Sequence, residues 1–264
     1  MSMELITLGS SASFPAAGGA CSGYLVRNGA TELLLDCGTG VLSRLQLETS
    51  VRNLTAIVIT HFHPDHYLDL VPMRYGLHYG IEEPFRPVLY LPPGGRALLE
   101  RIGLGLRNSS TYFSKAFDLR EYDPGSTLEL GNLAISFQLT THDEPTWAVA
   151  IEDGEARLVY TADTQESAEV EAFARNADLL LCEATYPSDL TNIPSGNHLT
   201  SRQAGELAQR AEVGRLVLTH FWPGIDLSRY ASEAVAAFNG PVELAEPGRR
   251  FRVVRATDMS IAST

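Results

Sequence analysis

The residues best equipped for chemistry lie in one short stretch, Thr60-His61-Phe62-His63-Pro64-Asp65-His66, which holds three of the seven histidines and a carboxylate. Imidazole nitrogens and carboxylate oxygens are the ligands that divalent zinc and its first-row neighbours favour. An apolar run, Ala56-Ile57-Val58-Ile59, leads directly into them. A buried strand ending there would hold the H-x-H-x-D-H set at one rigid point, whereas scattered surface histidines carry no such spacing. The stretch reads as a metal site.

Four further groups stand where chain elements end. His142 follows the strand-like Ile135 to Thr140, Asp163 follows Leu158-Val159-Tyr160-Thr161-Ala162, and His220 follows Leu216-Val217-Leu218-Thr219. His198 sits in a loop, Gly196-Asn197-His198-Leu199-Thr200, just ahead of a helix. Loops and element ends are where a rigid scaffold displays functional side chains. Any one of these residues alone could be a cap or a packing residue; with the central motif they form a set. His78 lies outside any motif and reads as surface or packing.

The elements that must position these groups alternate along the chain. Glu4 to Leu8, Ser22 to Arg27 and Glu32 to Leu35 have strand patterns, the last two joined through an Asn28-Gly29 hairpin turn. The loop from Gly9 to Gly19 lacks the G-x-x-x-x-G-K-[ST] pattern of a triphosphate cradle; it either borders the site or is a free surface loop. Asp36-Cys37-Gly38-Thr39-Gly40 turns a strand into a helix, Val41 to Leu47. Asp36 is a cap or an acceptor behind a ligand, and a structural role is preferred. Tyr67 to Gly80 reads as one helix with Leu68, Val71 and Tyr75 facing the core. Pro87 to Leu91 follows as a strand and Gly94 to Leu104 as a helix. Arg107 to Asp118 has no period and suits a lid or a dimer contact.

From Thr127 the pattern turns β-rich, with Thr127 to Leu130, Leu133 to Thr140, Trp147 to Glu152 and Arg157 to Thr161 separated by Gly131-Asn132 and Asp153-Gly154 turns. Helices at Glu166 to Ala174, after the capping box Thr200-Ser201-Arg202-Gln203, and at Ser228 to Phe238 then alternate with strands at Leu179 to Glu183, Leu216 to Thr219 and Phe251 to Val254. Strands and helices mix in both halves, without a linker or repeat. This predicts an α/β fold of two sheets packed face to face with helices outside, as one domain over 1–264.

Composition narrows the partners. A net charge of -12, from 20 basic and 32 acidic residues, opposes tight binding to a long nucleic acid, which rests on many Lys and Arg contacts to phosphates. A small or short substrate fits better. The longest apolar runs are too short for a membrane span, and the first residues lack the pattern of a signal peptide. Cys21, Cys37 and Cys182 read as reduced, buried thiols, so a cytoplasmic location is expected.

With these residues in view, the chain resembles the metallo-β-lactamase-fold metallohydrolases, from the opening strand and Gly-Ser loop through Asp36-Cys37-Gly38 to Thr219-His220-Phe221. The resemblance implies a four-layer αββα sandwich of two mixed β-sheets flanked by helices. It also implies two divalent metal ions, zinc first, with manganese or iron accepted by the same ligands. His61, His63 and His142 would hold the first metal and Asp65, His66 and His220 the second, with Asp163 bridging. Asp163 stands where many β-lactamases of the fold carry Cys, which disfavours antibiotic hydrolysis.

The run Ala177-Asp178-Leu179-Leu180-Leu181-Cys182-Glu183-Ala184-Thr185-Tyr186, with His198-Leu199-Thr200 downstream, is similar to ribonuclease Z. There such a histidine assists phosphodiester cleavage. Ribonuclease Z also carries a tRNA-gripping arm between the segments matching His142 and Asp163; here 20 residues separate them, filled by a plain hairpin. The expected activity is hydrolysis of a small phosphodiester, such as a cyclic nucleotide. Ribonuclease Z-type tRNA 3′ processing and a thioesterase or lactonase activity are the alternatives. Asp65 would orient the attacking water and take its proton, and His198 would bind the phosphoryl group or protonate the leaving oxygen. Glu183 would accept a hydrogen bond from a ligand histidine, or be purely structural. Thr60 and Thr219 are expected only to orient backbone, and a homodimer is expected from the family.

Overall fold

The computed structural model describes residues 2–80, 83, 85–190 and 197–255. Among these, strands β1 (Met3–Gly9), β2 (Gly23–Asn28), β3 (Thr31–Leu35), β4 (Ala56–Val58), β5 (Val88–Leu91) and β6 (Asp118–Glu121) form one seven-stranded sheet, completed by β14 (Arg250–Val253) along β1. The second sheet also has seven strands: β7 (Leu128–Leu130), β8 (Leu133–Leu139), β9 (Trp147–Glu152), β10 (Arg157–Tyr160), β11 (Leu179–Glu183), β12 (Leu216–Thr219) and β13 (Val242–Leu244). Both are mixed. β3 to β6 run parallel beside antiparallel β1 and β2, and β10 to β13 run parallel beside antiparallel β7 to β9.

Period-two alternation decides which side chain enters which layer. Leu5, Val26, Leu33 and Leu35 point into the core between the sheets, where they meet Ile135, Val149, Leu158, Leu179 and Leu181. Their neighbours Ile6, Leu25 and Leu34 point outward, against α1 (Val41–Glu48), α3 (Leu70–Tyr79) and α4 (Gly95–Arg107). Leu180, Val159 and Leu218 do the same on the other sheet, under α5 (Ala168–Ala174), α6 (Ser201–Arg210) and α7 (Leu227–Ala237). The result is the αββα sandwich expected from the sequence. All three cysteines are buried. Among the described residues no helix is long and apolar enough to cross a membrane.

Three local readings need correction. The single helix over Tyr67 to Gly80 is two: a four-residue α2 (Pro64–Tyr67) and then α3. Asp69 causes the break, because its N–H donates to the Cys37 carbonyl while its carboxylate accepts from the Leu42 N–H. The break shifts the helical phase, so Leu70, Met73 and Arg74 face inward, while Leu68 and Tyr75 are exposed. Of the two readings of the stretch after Arg107, a lid or a dimer contact, the lid does not fit: Tyr112, Phe113, Ala116 and Phe117 are buried in the outer core. Its aromatics pack from turns rather than from a helix, which is why they show no period. β6 and β13, short and with few β-branched residues, escape a pattern search altogether.

Candidate metal centre

The potential ligands converge at the ends of β4, β8, β10 and β12, on the rim where the two sheets meet. The backbone is bent hard to bring them there. Asp36, Ala162 and His220 all have left-handed φ, at 57°, 50° and 58°, a conformation costing about 1–2 kcal/mol for a residue with a Cβ. Gly38 lies so close to the Asp65 carbonyl that a Cβ would sit 1.9 Å from its oxygen. Only glycine lets the turn after β3 press against the motif.

Two groups of donors form, with Asp163 between them. His61, His63, His142 and Asp163 make one; Asp65, His66 and His220 make the other. Asp163 Oδ2 lies 3.7 Å from His61 Nε2, 3.9 Å from His142 Nε2 and 3.5 Å from His220 Nε2, and its Oδ1 lies 3.4 Å from His66 Nε2. Donors about 2.0–2.1 Å from a tetrahedral zinc stand about 3.3 Å from one another. The observed spacings are of that size.

The hydrogen bonds behind the rings supply an independent test of fit. His66 Nδ1 donates to Asp36 Oδ2 at 2.8 Å, and His142 Nδ1 donates to the Asn197 carbonyl at 2.9 Å. Thr60 Oγ1 gives its proton to Asp36, so it accepts from His61 Nδ1 at 3.1 Å. Thr185 Oγ1 gives its proton to Glu183, so it accepts from His220 Nδ1 at 2.9 Å. Each of these four rings therefore keeps its Nε2 lone pair for the interior. His66 and His220 face each other with lone pairs 3.4 Å apart, and His142 Nε2 faces His63 Nδ1 at 3.2 Å. His61 Nε2 and Asp163 Oδ1 are buried without a hydrogen-bond partner. Facing lone pairs and orphaned acceptors on buried residues call for cations, and divalent metals fit the donor set.

The charges agree. Burial, seconded by the neighbouring His66, pushes the His61 imidazole well below its ordinary value, and burial also lowers His142. At His66 burial opposes charge, but Asp163, Asp36 and Asp65 outweigh it and push the ring well above its ordinary value, a pull on positive charge that a cation at Nε2 would satisfy. Burial would raise Asp163 and Asp65, yet the surrounding histidines keep both carboxylates ionised well below the usual range.

His198 stands apart. Asp163, His198 and His220 also come within 4.8 Å of one another, but Glu183 Oε1 takes the His198 Nδ1 proton at 3.0 Å. Burial disfavours the charge there; Glu183 and then Asp163 prevail and raise the imidazole to about 9. Glu183 is thus an acceptor for His198 directly and for His220 through Thr185. It also accepts from the Thr164 and Leu199 backbone.

All seven expected ligands and His198 come together, and His78 is exposed on α3, away from them. Gly196, part of the loop around His198, lies outside the described residues. Asp36 is the acceptor behind His66 rather than a merely structural residue, and Tyr160 also donates to it. Thr60 is a hydrogen-bond relay, not just a backbone spacer, and the Thr219 hydroxyl pairs with Tyr24 at 2.6 Å. The sequence reading missed three groups. Thr185 carries the His220 relay, Asp143 stands 3.5 Å from His63 Nε2, and the Ser13 N–H donates to Asp65 Oδ2 at 2.6 Å. The Gly9 to Gly19 loop thus borders the site.

A sandwich of this layering with histidines and aspartates on its rim defines a metallo-β-lactamase-type protein, and residues 31–221 match the model of the β-lactamase superfamily domain. The chain belongs to that superfamily. It is 34% identical over 251 residues to the probable metallo-hydrolase YhfI of Bacillus subtilis, covering 93% of this chain and 98% of the relative. The YhfI crystal structure superposes with a TM-score of 0.83 over 94% of this chain and 98% of that one, at 30% identity. Ribonuclease Z of Mycobacterium bovis is 27% identical over 276 residues, 95% of this chain and 98% of the relative. Unliganded yeast PDE1 shares the fold, with a TM-score of 0.75 and 13% identity over 96% and 99% of the two chains.

Proposed function

We propose that this metallo-hydrolase is a two-metal phosphodiesterase acting on a small ester such as a cyclic nucleotide. The observation that carries the reading is His198, an imidazole beside the donor cluster but held by Glu183 at 3.0 Å, whose charge raises it to about 9 against its burial. A thioester or lactone needs no such cation, whereas a phosphodiester presents both a charged phosphoryl group and an alkoxide leaving group. The similarity to ribonuclease Z supports the same bond type. A small substrate is supported by β9 and β10, which pair as a plain hairpin between His142 and Asp163 with no inserted arm.

Divalent cations, when held by His61, His63, His142, Asp163, Asp65, His66 and His220, would lower the pKa of a water toward about 7 and neutralise negative charge on a phosphoryl group. The chain's own residues do the rest. Asp65, ionised and anchored through Oδ2 by the Ser13 N–H, orients the attacking water and receives its proton. His198 binds the phosphoryl oxygen and delivers its proton to the departing oxygen. Glu183 keeps that proton in place until it is needed.

His198→Ala is expected to leave metal content intact and to cut turnover of cyclic nucleotides and of bis-(p-nitrophenyl) phosphate by about a hundredfold or more. Metal analysis with a panel adding a precursor tRNA and a thioester provides the check. Unchanged phosphodiester turnover in the variant, or a thioester as the fastest substrate, would sink the reading.

A further inference from the structure

A row of aromatic rings leads away from the metal centre, and no step of the proposed chemistry uses it. His198 and His220 lie 5.3 Å apart by ring centroid; Tyr186 stands 6.5 Å from His198, and Trp222 5.4 Å beyond Tyr186 at 30°. Phe14 closes the row edge-on, 5.7 Å from Trp222 at 89°. Tyr186 is buried, but Trp222 is only half-buried and Phe14 is 48% exposed. Phe14 thus lies largely in water, one residue after Ser13, whose N–H donates to Asp65.

The pair is held in place. The Ala12 N–H donates to the Phe221 carbonyl at 2.9 Å and the Phe221 N–H to the Ser10 carbonyl at 2.7 Å, so the loop after β1 is laced to the segment after β12. The same loop donates to Asp65 through Ser13, and the same segment carries His220 two residues before Trp222. Phe14 and Trp222 are therefore fixed relative to the ligands by backbone hydrogen bonds. Trp222, with Ser10 and Ser11, also lines a cavity of about 420 Å³ whose wall includes neither Phe14 nor a potential metal ligand.

We propose that Phe14 and Trp222 are the specificity-determining residues of the site, forming a rigid aromatic corner against which the base of a nucleoside phosphodiester packs, face to one ring and edge to the other, while its phosphoryl group lies at the metal centre. Every nucleobase has a π-face, so packing in such a corner favours nucleotides over base-free esters with little preference among bases. The inference rests on the phosphodiesterase reading for its substrate, but binding tests it without turnover.

The test uses the metal-loaded protein with adenosine 3′,5′-cyclic phosphate and with the base-free methyl riboside 3′,5′-cyclic phosphate. Phe14→Ala and Trp222→Leu are expected to raise the KM for the nucleotide about tenfold more than for the base-free ester, with kcat moving little; Phe14→Tyr restores the wild-type ratio. Independently, adenosine monophosphate should quench the fluorescence of Trp222. Trp147, packed against the core between the sheets, provides a constant background. Phe14→Ala should weaken that titration about tenfold. Equal losses on the two esters, an unchanged affinity in Phe14→Ala, or no quenching of the wild type would each overturn the proposal. If neither ester is hydrolysed but quenching occurs and is weakened in Phe14→Ala, the aromatic corner stands and the phosphodiesterase reading alone fails.

Discussion

The two halves of the metal centre are built differently. Around His66 and His220 every ring is buried, and the outer nitrogens end on buried carboxylates, Asp36 directly and Glu183 through Thr185. Around His63 and His142 the outer contacts are a backbone carbonyl and Asp143, whose side chain is 49% exposed, and the His63 side chain is itself 28% exposed. A carboxylate behind an imidazole fixes its tautomer and raises its basicity as a ligand; a solvated partner does so weakly. One half is preorganised, and the other is held by weaker outer contacts and opens to solvent at His63. His61 belongs to the open half's donor group but is tied through Thr60 to Asp36, so it joins the two.

The comparison breaks most completely at Asp163, which serves both halves. Asp163→Ala removes the shared donor and leaves the inward lone pairs of His61, His66, His142 and His220 without a bridging anion. Loss of both bound metals is expected. Turnover should fall by at least about a thousandfold, since enzymatic accelerations begin near about 10⁶. Metal analysis of the purified variant reads the outcome directly. A variant that retained one metal in full would show that the halves fill independently.

Asp36→Asn tests the buried half alone. The amide cannot satisfy His66 Nδ1, the Thr60 hydroxyl and the Tyr160 hydroxyl together, because all three donate to it and one end of the amide is itself a donor. Metal affinity at the His66 side should fall about 10–100-fold, measured by competition with a chelator. Equal weakening of both sites would mean that the Thr60 relay to His61 carries as much as the direct bond to His66.

What the sequence made legible follows the physics of each contribution. The H-x-H-x-D-H motif is contiguous, and His142, Asp163 and His220 each end an apolar run, so local pattern suffices to find them. Asp36 is different. Its partners Thr60 and His66 are 24 and 30 residues away, and only the parallel pairing of β3 with β4 brings them together. The Thr60 and Thr185 relays depend on which way a hydroxyl points, and Ser13 contributes a backbone N–H that any residue but proline would supply. The fold was legible where strands alternate cleanly or where a capping box marks a helix, as it does at Thr200 with Gln203. It was not legible at α3, where a tertiary hydrogen bond from Asp69 resets the helical phase.

Glu183→Gln sharpens the comparison from the side of the proton. Glu183 raises His198 to about 9 from an ordinary 6.5, so its stabilisation is fully present below pH 6.5 and is lost as pH rises through 9. With glutamine the principal raising charge is gone while burial still opposes ionisation. The His198 titration, followed by NMR of the imidazole in metal-free protein, should move from about 9 back to 6.5 or below. A titration that stayed near 9 would assign the effect to Asp163 instead.

The smallest effect is expected at Asp143, and it decides whether the open half is truly open. Asp143 Oδ1 lies 3.5 Å from His63 Nε2, that ring's outer nitrogen, near enough to resemble the carboxylates of the buried half, and 3.1 Å from the inward Nε2 of His142. Yet its side chain is 49% exposed, and its other oxygen accepts from the exposed Asn197 side chain at 3.0 Å. Water can replace such a partner at little cost, and exposed ion pairs are worth about 0–1 kcal/mol. Asp143→Ala should therefore change metal affinity at the His63 side by no more than about fivefold, and Asp36→Asn should exceed it at the other. Chelator competition on the two variants side by side gives the ratio. A tenfold or larger loss in Asp143→Ala would make Asp143 a participant in holding the metal, and the contrast between a preorganised half and a more weakly held one would fall.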